Sequence, residues 1–150
     1  MSVSRFNSAG AGESLNIAYG NKKASTAIDL NELLTLDSSG QLIPAVTASL
    51  FVVGVSNSTV LATDDNYATT DEIQYDKALS GDEFIMDVDD ASTSGFVAGV
   101  KRGIVDSKTI QAAAASTDEG LLVVVKKVLT ATDQAVVELI TSQDTETVTS

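Results

Sequence analysis

Apolar residues recur along this chain in short blocks separated by turn formers, and within the blocks apolar and polar positions tend to alternate. Leu15-Asn-Ile-Ala-Tyr19 alternates and then meets Gly20-Asn21, the pattern of a strand running into a turn. Leu33-Leu-Thr-Leu36 leads into Asp37-Ser-Ser-Gly40, and Gln41-Leu-Ile-Pro44 resumes extended structure. Asp, Ser and Gly favour tight turns through side-chain-to-backbone bonds and positive φ, so strand, four-residue turn, strand is expected. Leu30, Leu33 and Leu34 also share a helical face, and a helix over Ile28–Leu36 is the alternative.

Further blocks follow at Leu50–Val55, Thr59–Ala62, Asp71–Tyr75, Glu83–Val88, Phe96–Val97 and Gly103–Val105. Leu121–Val125 and Ala135–Ile140 close the series, and both are too short and too β-branched for helices. Lys108-Thr-Ile-Gln-Ala-Ala-Ala-Ala115 has the composition of a helix, so one short helix near 108–115 is allowed for. The pattern predicts an all-β chain, a small β-barrel or β-sandwich of about eight to ten short strands. Residues 1–14, rich in Ser, Gly and Ala, read as a flexible N-terminal arm. Residues 15–142 form a single β-rich domain and 143–150 a polar C-terminal tail. No fixed internal repeat is visible in the sequence.

Composition narrows the function more than the fold. Among 150 residues there is no cysteine and no histidine. Disulfides, thiolate nucleophiles and Ser-His-Asp or Cys-His triads are therefore excluded. The commonest general base and transition-metal ligand is missing as well. Aromatics are only 5%, too few for the usual lining of a carbohydrate-hydrolysing cleft. The expectation is a protein that is not an enzyme and holds no cofactor.

The net charge of −12 opposes binding to phosphate backbones, so no direct nucleic-acid partner is expected. Residues 61–95 hold ten acidic residues against Lys77 alone, −9 of that total, and the rest of the chain is nearly balanced. A basic partner surface suits such a region. No apolar run approaches the ~18 residues that span a bilayer, and the N-terminus lacks a leader-like block, so a soluble, unprocessed chain is expected.

Candidate sites are few. Asp87-Val-Asp-Asp90 begins like a calcium loop, but Ala91, Ser92 and Ala98 fall where ligand, glycine and glutamate are needed. A solvated acidic loop is the expected reading, with an incidental divalent-cation site as the alternative, and no metal is assigned. Gly95, Gly99 and Gly103 match neither phosphate-binding fingerprint and suggest turns or bulges. Lys101-Arg102 and Lys126-Lys127 are basic pairs in an acidic chain, natural partners for a neighbouring subunit.

Several pieces, in order, resemble the small β-rich decoration proteins of tailed-phage heads, the capsid cement or head-stabilisation proteins. They are Ala27-Ile-Asp-Leu-Asn-Glu-Leu-Leu-Thr-Leu-Asp37, Ser39-Gly-Gln-Leu-Ile-Pro-Ala45 and Val53-Gly-Val55, then Leu79-Ser-Gly-Asp82 and Gly95-Phe-Val-Ala-Gly99. The similar stretch runs from about Lys22 to Ile140. The resemblance implies a virion protein made in the host cytoplasm that docks on the outer capsid surface, with the major capsid protein as partner and a homo-oligomer, a trimer by preference. It has no catalytic residues to carry over. Arg5 and Phe6 in the arm, with Lys101 and Arg102, are the candidate capsid-binding residues. A head fibre or appendage module that binds host surface glycans is the alternative.

Overall fold

Short alternating blocks divided by turn formers cannot bury a helical face, but they can pair edge to edge. The computed structural model describes residues 4–7, 17–46, 49, 51–78, 81–89, 97–111 and 122–139. Across them run β1 (Ser4–Asn7), β2 (Ile17–Asn21), β3 (Leu33–Leu36), β4 (Leu42–Pro44), β5 (Gly54–Ser56) and β6 (Glu72–Lys77). Then come β7 (Glu83–Val88), β8 (Lys101–Gly103), β9 (Thr109–Ile110), β10 (Leu122–Leu129) and β11 (Gln134–Leu139). A single 3-10 turn, Thr130–Thr132, joins the last two strands. The chain is all-β, in the class of small barrels and sandwiches, and its two- and three-residue strands take the described count past ten.

The two stretches where the sequence allows a helix both contain a strand. Leu33–Leu36 is β3, and it mimics a helical face because it is buried on both sides. Leu34 packs with Ile28, Leu42, Val60 and Ile73, whereas Leu33 belongs to a cluster with Phe84, Ile104 and Val123. Near 108–115, Thr109–Ile110 is β9 and lies parallel to β7, so the residues described there, 108–111, are not helical. Residues 112–115 lie outside the described residues, as does the C-terminal tail 143–150. Of the arm expected over 1–14, Ser4–Asn7 is β1, antiparallel to β7 with a bulge between Arg5 and Asn7.

The strands form two rings of five. The first runs β2-β6-β5-β3-β4 and closes where Lys22 bridges Leu42 in parallel. The second runs β7-β11-β10-β8, continues to β9 through the antiparallel bridge Ile104–Ile110, and closes by the parallel pairing of β9 with β7. In each ring the first strand pairs with the fifth, the fifth with the fourth, the fourth with the second, and the second with the third. The third returns to the first in parallel. The two halves of the chain therefore share one topology, and β1 is added outside the second ring.

The correspondence holds bond by bond. Lys23 N donates to Leu42 O at 3.1 Å and Lys22 N to Asp71 O at 3.1 Å; Asp89 N donates to Ile110 O and Val88 N to Asp133 O, both at 3.0 Å. The hairpin bond Asp37 N to Gln41 O, 2.9 Å, matches Val105 N to Thr109 O, 2.7 Å. The reciprocal pair Asn31 N to Ser56 O and Ser56 N to Glu32 O matches Gly99 N to Val125 O and Val125 N to Val100 O. Asn31 (φ 59°) and Gly99 (φ 98°) both lie in the left-handed region at this corner. Asparagine tolerates that region better than most residues and glycine best, which accounts for the residue types found there.

Each ring has its own interior, and one core runs between them. Ile28, Leu34, Leu42, Val60 and Ile73 fill the first ring. Phe84, Met86, Val88, Ile104, Ile110, Val123, Val125, Ala135 and Val137 join Leu33, Ala45, Val52, Val55 and Ala78 from the first half in a single cluster. The outward faces of β3 and β5 thus pack on the second ring, so the halves bury apolar area against each other as well as within themselves.

Candidate interaction surface

The acidic middle of the chain divides once folded. Asp76 and Asp82 are buried, whereas Asp64, Asp65, Asp71, Glu72 and Asp89 are exposed. Four of the exposed acids sit on or beside the loop Leu61–Asp71, at one end of the first ring. This loop is built on turn chemistry: Asp64 Oδ2 accepts from Leu61 N at 2.8 Å, and Thr69 Oγ1 donates to Asn66 O at 3.0 Å.

Beneath the loop lies Lys22, with no exposed surface. Its ammonium donates to Thr69 O at 2.6 Å, Tyr67 O at 2.8 Å and Lys23 O at 3.3 Å, and stands 6.0 Å from the centroid of the Tyr67 ring. Asn21 Nδ2 to Thr70 O (2.8 Å) and Ser25 N to Tyr67 O (2.8 Å) add to the clamp. A burial this complete is tolerated because three carbonyl dipoles replace the lost water. The equivalent residue of the second ring, Val88, needs no such partners. Lys22 therefore fixes an acidic loop rather than offering a charge to the outside. The sequence shows only a Lys-Lys pair after a turn, and nothing in it distinguishes the buried lysine from exposed Lys23.

A second buried polar group joins the halves. Glu32 accepts from Ser107 Oγ at 2.7 Å and from Asp29 N at 2.8 Å, and Leu33 N donates to Ser107 O at 2.9 Å. Beside it Lys108 pairs with Asp29 at 3.0 Å, a partly exposed ion pair that adds at most about 1 kcal/mol. Burial raises the Glu32 carboxyl above its ordinary value, opposed by the hydrogen bonds it accepts from Ser107 and Asp29. The folded chain therefore holds this proton to higher pH than the unfolded chain does. Stability from this group is full below the unfolded value and declines as pH rises through the folded one. Glu32→Gln removes that decline, so in urea titrations the variant should gain on its parent as pH is raised from about 4 to 7. A stability difference independent of pH would contradict this placement of the charge.

The four candidate capsid-binding residues lie on two strands, β1 and β8. Arg5 stands opposite Phe84 on β1, and Phe6 occupies the bulge beside it. On β8, Lys101 and Arg102 pair with Val124 and Val123 of β10. Lys101 is exposed, but Arg102 is 9% exposed and donates from Nη1 to Lys101 O at 2.9 Å. Arg102 is thus a buried side chain, unlike its exposed neighbour. Of the Asp87–Asp90 run, Asp87 accepts from Gln134 Nε2 at 3.1 Å, Asp89 is exposed, and Asp90 lies outside the described residues. No group of three or more potential metal ligands occurs among the described residues. No helix among them is long and apolar enough to cross a membrane.

Comparison with protein-family models, with curated proteins and with solved structures finds no match. The surface must be read from its own geometry. It comprises a clamped acidic loop, an exposed edge at β2 and a rigid double ring behind both.

Proposed function

We propose that this chain is a structural virion protein that binds the outer surface of a phage head and stabilises the shell by bridging major capsid protein subunits. The observation that carries the reading is the place of the resembling motifs in the fold. Ala27–Asp37 spans the Ile28–Val60 bridge and β3, Ser39–Ala45 forms the β3–β4 hairpin, and Val53–Val55 enters β5. Asp82 directly precedes β7, and Gly99 supplies the left-handed corner before β8. The motifs that suggest a decoration protein thus fall on strands and corners of both rings in chain order, which supports the reading.

The physical demands of the role agree with this design. A cement protein needs a stiff body, contacts multiplied over many copies, and charge that keeps free copies apart. The double ring supplies the first, and the exposed acids of the 61–72 region supply a field for a basic shell surface. Once docked on the head, a trimer such as the resemblance implies would multiply these contacts. Co-sedimentation with mature heads that lack the protein tests the reading. Saturable binding at a fixed number of copies per head is expected, and absence of binding would overturn it. Binding to isolated host glycans without binding to heads would favour the appendage module instead.

A further inference from the structure

The shared topology of the rings makes one difference between them informative. In β2, Lys22 N points to β6 through Asp71 O, and Lys23 N points the other way, to Leu42 O. Backbone groups alternate along a strand, so the N–H groups of Ile17, Tyr19 and Asn21 face away from β6. Beyond the Lys22–Leu42 bridge, no strand meets that edge among the described residues. In the second ring the equivalent edge belongs to Glu83, Ile85 and Asp87. There Asp87 pairs with Thr109, and β1 covers the remainder, with Ser4 opposite Ile85 and Asn7 opposite Glu83. Tyr19 and Ile17 are the counterparts of Ile85 and Glu83. The chain has one β1, and it already lies on β7.

The open edge carries none of the usual guards. Ile17-Ala-Tyr-Gly-Asn21 has no charge, no proline and no bulge, although 20% of the chain is charged. Ile17 and Tyr19 are 42% and 59% exposed. We propose that the β2 edge is a two-fold contact with a second copy of this chain, the two β2 strands pairing antiparallel to continue the first ring's sheet across the axis.

Three features favour a second copy as the occupant. The groups facing the edge belong to alternate residues, so the strand is complementary to itself, with Ile17 of each copy opposite Tyr19 of the other and Ala18 at the axis. Cross-strand pairs of an aromatic and a β-branched side chain are favourable, and no like charges meet. The antiparallel arrangement also sets the two acidic loops, each at the Lys22 end of its own strand, at opposite ends of the paired strands. In this register only Ile17–Tyr19 of each copy pair directly, which is small for an interface, so the association belongs to the weak class and strengthens where copies are concentrated. The contact does not depend on the decoration reading, because it is read on the free chain.

Sedimentation equilibrium tests it. The weight-average mass should rise from 15.5 kDa toward twice that value as concentration increases into the millimolar range. Tyr19→Pro removes an N–H that faces the open edge, a position where proline is tolerated, and should hold the mass at one chain. A double variant, Ile17→Lys with Tyr19→Lys, places lysines opposite one another and should do the same without touching the backbone. It carries the test if the proline variant unfolds. Val97→Lys, at an exposed site on the other half, should associate like the parent. A parent that stays at one-chain mass, or a lysine double variant that associates as the parent does, would overturn the proposal.

Discussion

Gly54→Ala should lower the unfolding free energy by about 3–4 kcal/mol, a large share of the 5–15 kcal/mol typical of a folded domain. A Cβ at this position would run into the carbonyl oxygen of Asp76, and would lie 2.6 Å from Tyr75 Cδ2 and 3.0 Å from Asp76 C. Two of those three atoms are backbone in the paired strand β6, so the strands would have to separate. The second ring shows why glycine is required here. At the equivalents of Gly54 and Tyr75 stand Val123 and Val137, two middle-sized side chains that share the space a ring and a hydrogen occupy in the first. Gly20→Ala is the control, since its Cβ would meet the end of the Leu42 side chain at 2.9 Å, which can turn aside. Urea unfolding should show a loss below about 1 kcal/mol for Gly20→Ala, and the larger loss for Gly54→Ala should lower Tm by about 6–16 °C. Similar small losses at both sites would contradict the close approach of β5 to β6.

Lys22→Met should cost about 2 kcal/mol, although methionine fills nearly the same volume. The loss is electrostatic: Thr69 O loses its ammonium donor and Tyr67 O keeps only the Ser25 N–H, and a stranded acceptor beneath the loop costs about 1–3 kcal/mol. The loop carrying Asp64 and Asp65 should loosen along with the global loss. Amide exchange at Ser25, whose N–H is bonded to Tyr67 O, should therefore accelerate more than exchange at Val105 in the other ring. Equal acceleration at the two amides, or a loss below about 1 kcal/mol, would mean that the ammonium is not the clamp.

The contrast between Lys22 and Val88 also shows where the sequence stops being legible. The strand class was readable because Ile73 and Tyr75 of β6 alternate with polar residues and because Asp37-Ser-Ser-Gly40 is rich in turn formers. Asp37 Oδ1 accepts from Ser39 N and Gln41 N, and those bonds hold its carboxyl below the ordinary range. The repeat was not readable. Equivalent residues differ by 66 in number at Lys22 and Val88, by 68 at Leu42 and Ile110, and by 62 at Asp71 and Asp133. Residue types also differ together: the first ring has Gly54 with Tyr75 where the second has Val123 with Val137, and buried Lys22 where the second has Val88. Backbone hydrogen bonds preserve the topology through such exchanges, whereas a search for similar letters at a fixed period does not.

Other features were legible only in part. β3 reads as a strand but leaves a helix as the alternative, because Leu33 and Leu34 bury on opposite sides of one strand and a second packed layer is invisible in a local pattern. Arg102 reads as a surface cation, yet its stem lies within the β8 face and its guanidinium turns back to the chain. Glu32 and Ser107 are distant in sequence and meet only because the rings pack against one another.

A stiff pair of rings with a clamped acidic loop is a body suited to holding other subunits in place. Heating purified heads with and without the added chain tests that role most directly. Heads saturated with it should release their DNA at a higher temperature than bare heads, and the gain should shrink with Lys22→Met. Release at the same temperature with the chain bound would contradict a stabilising function.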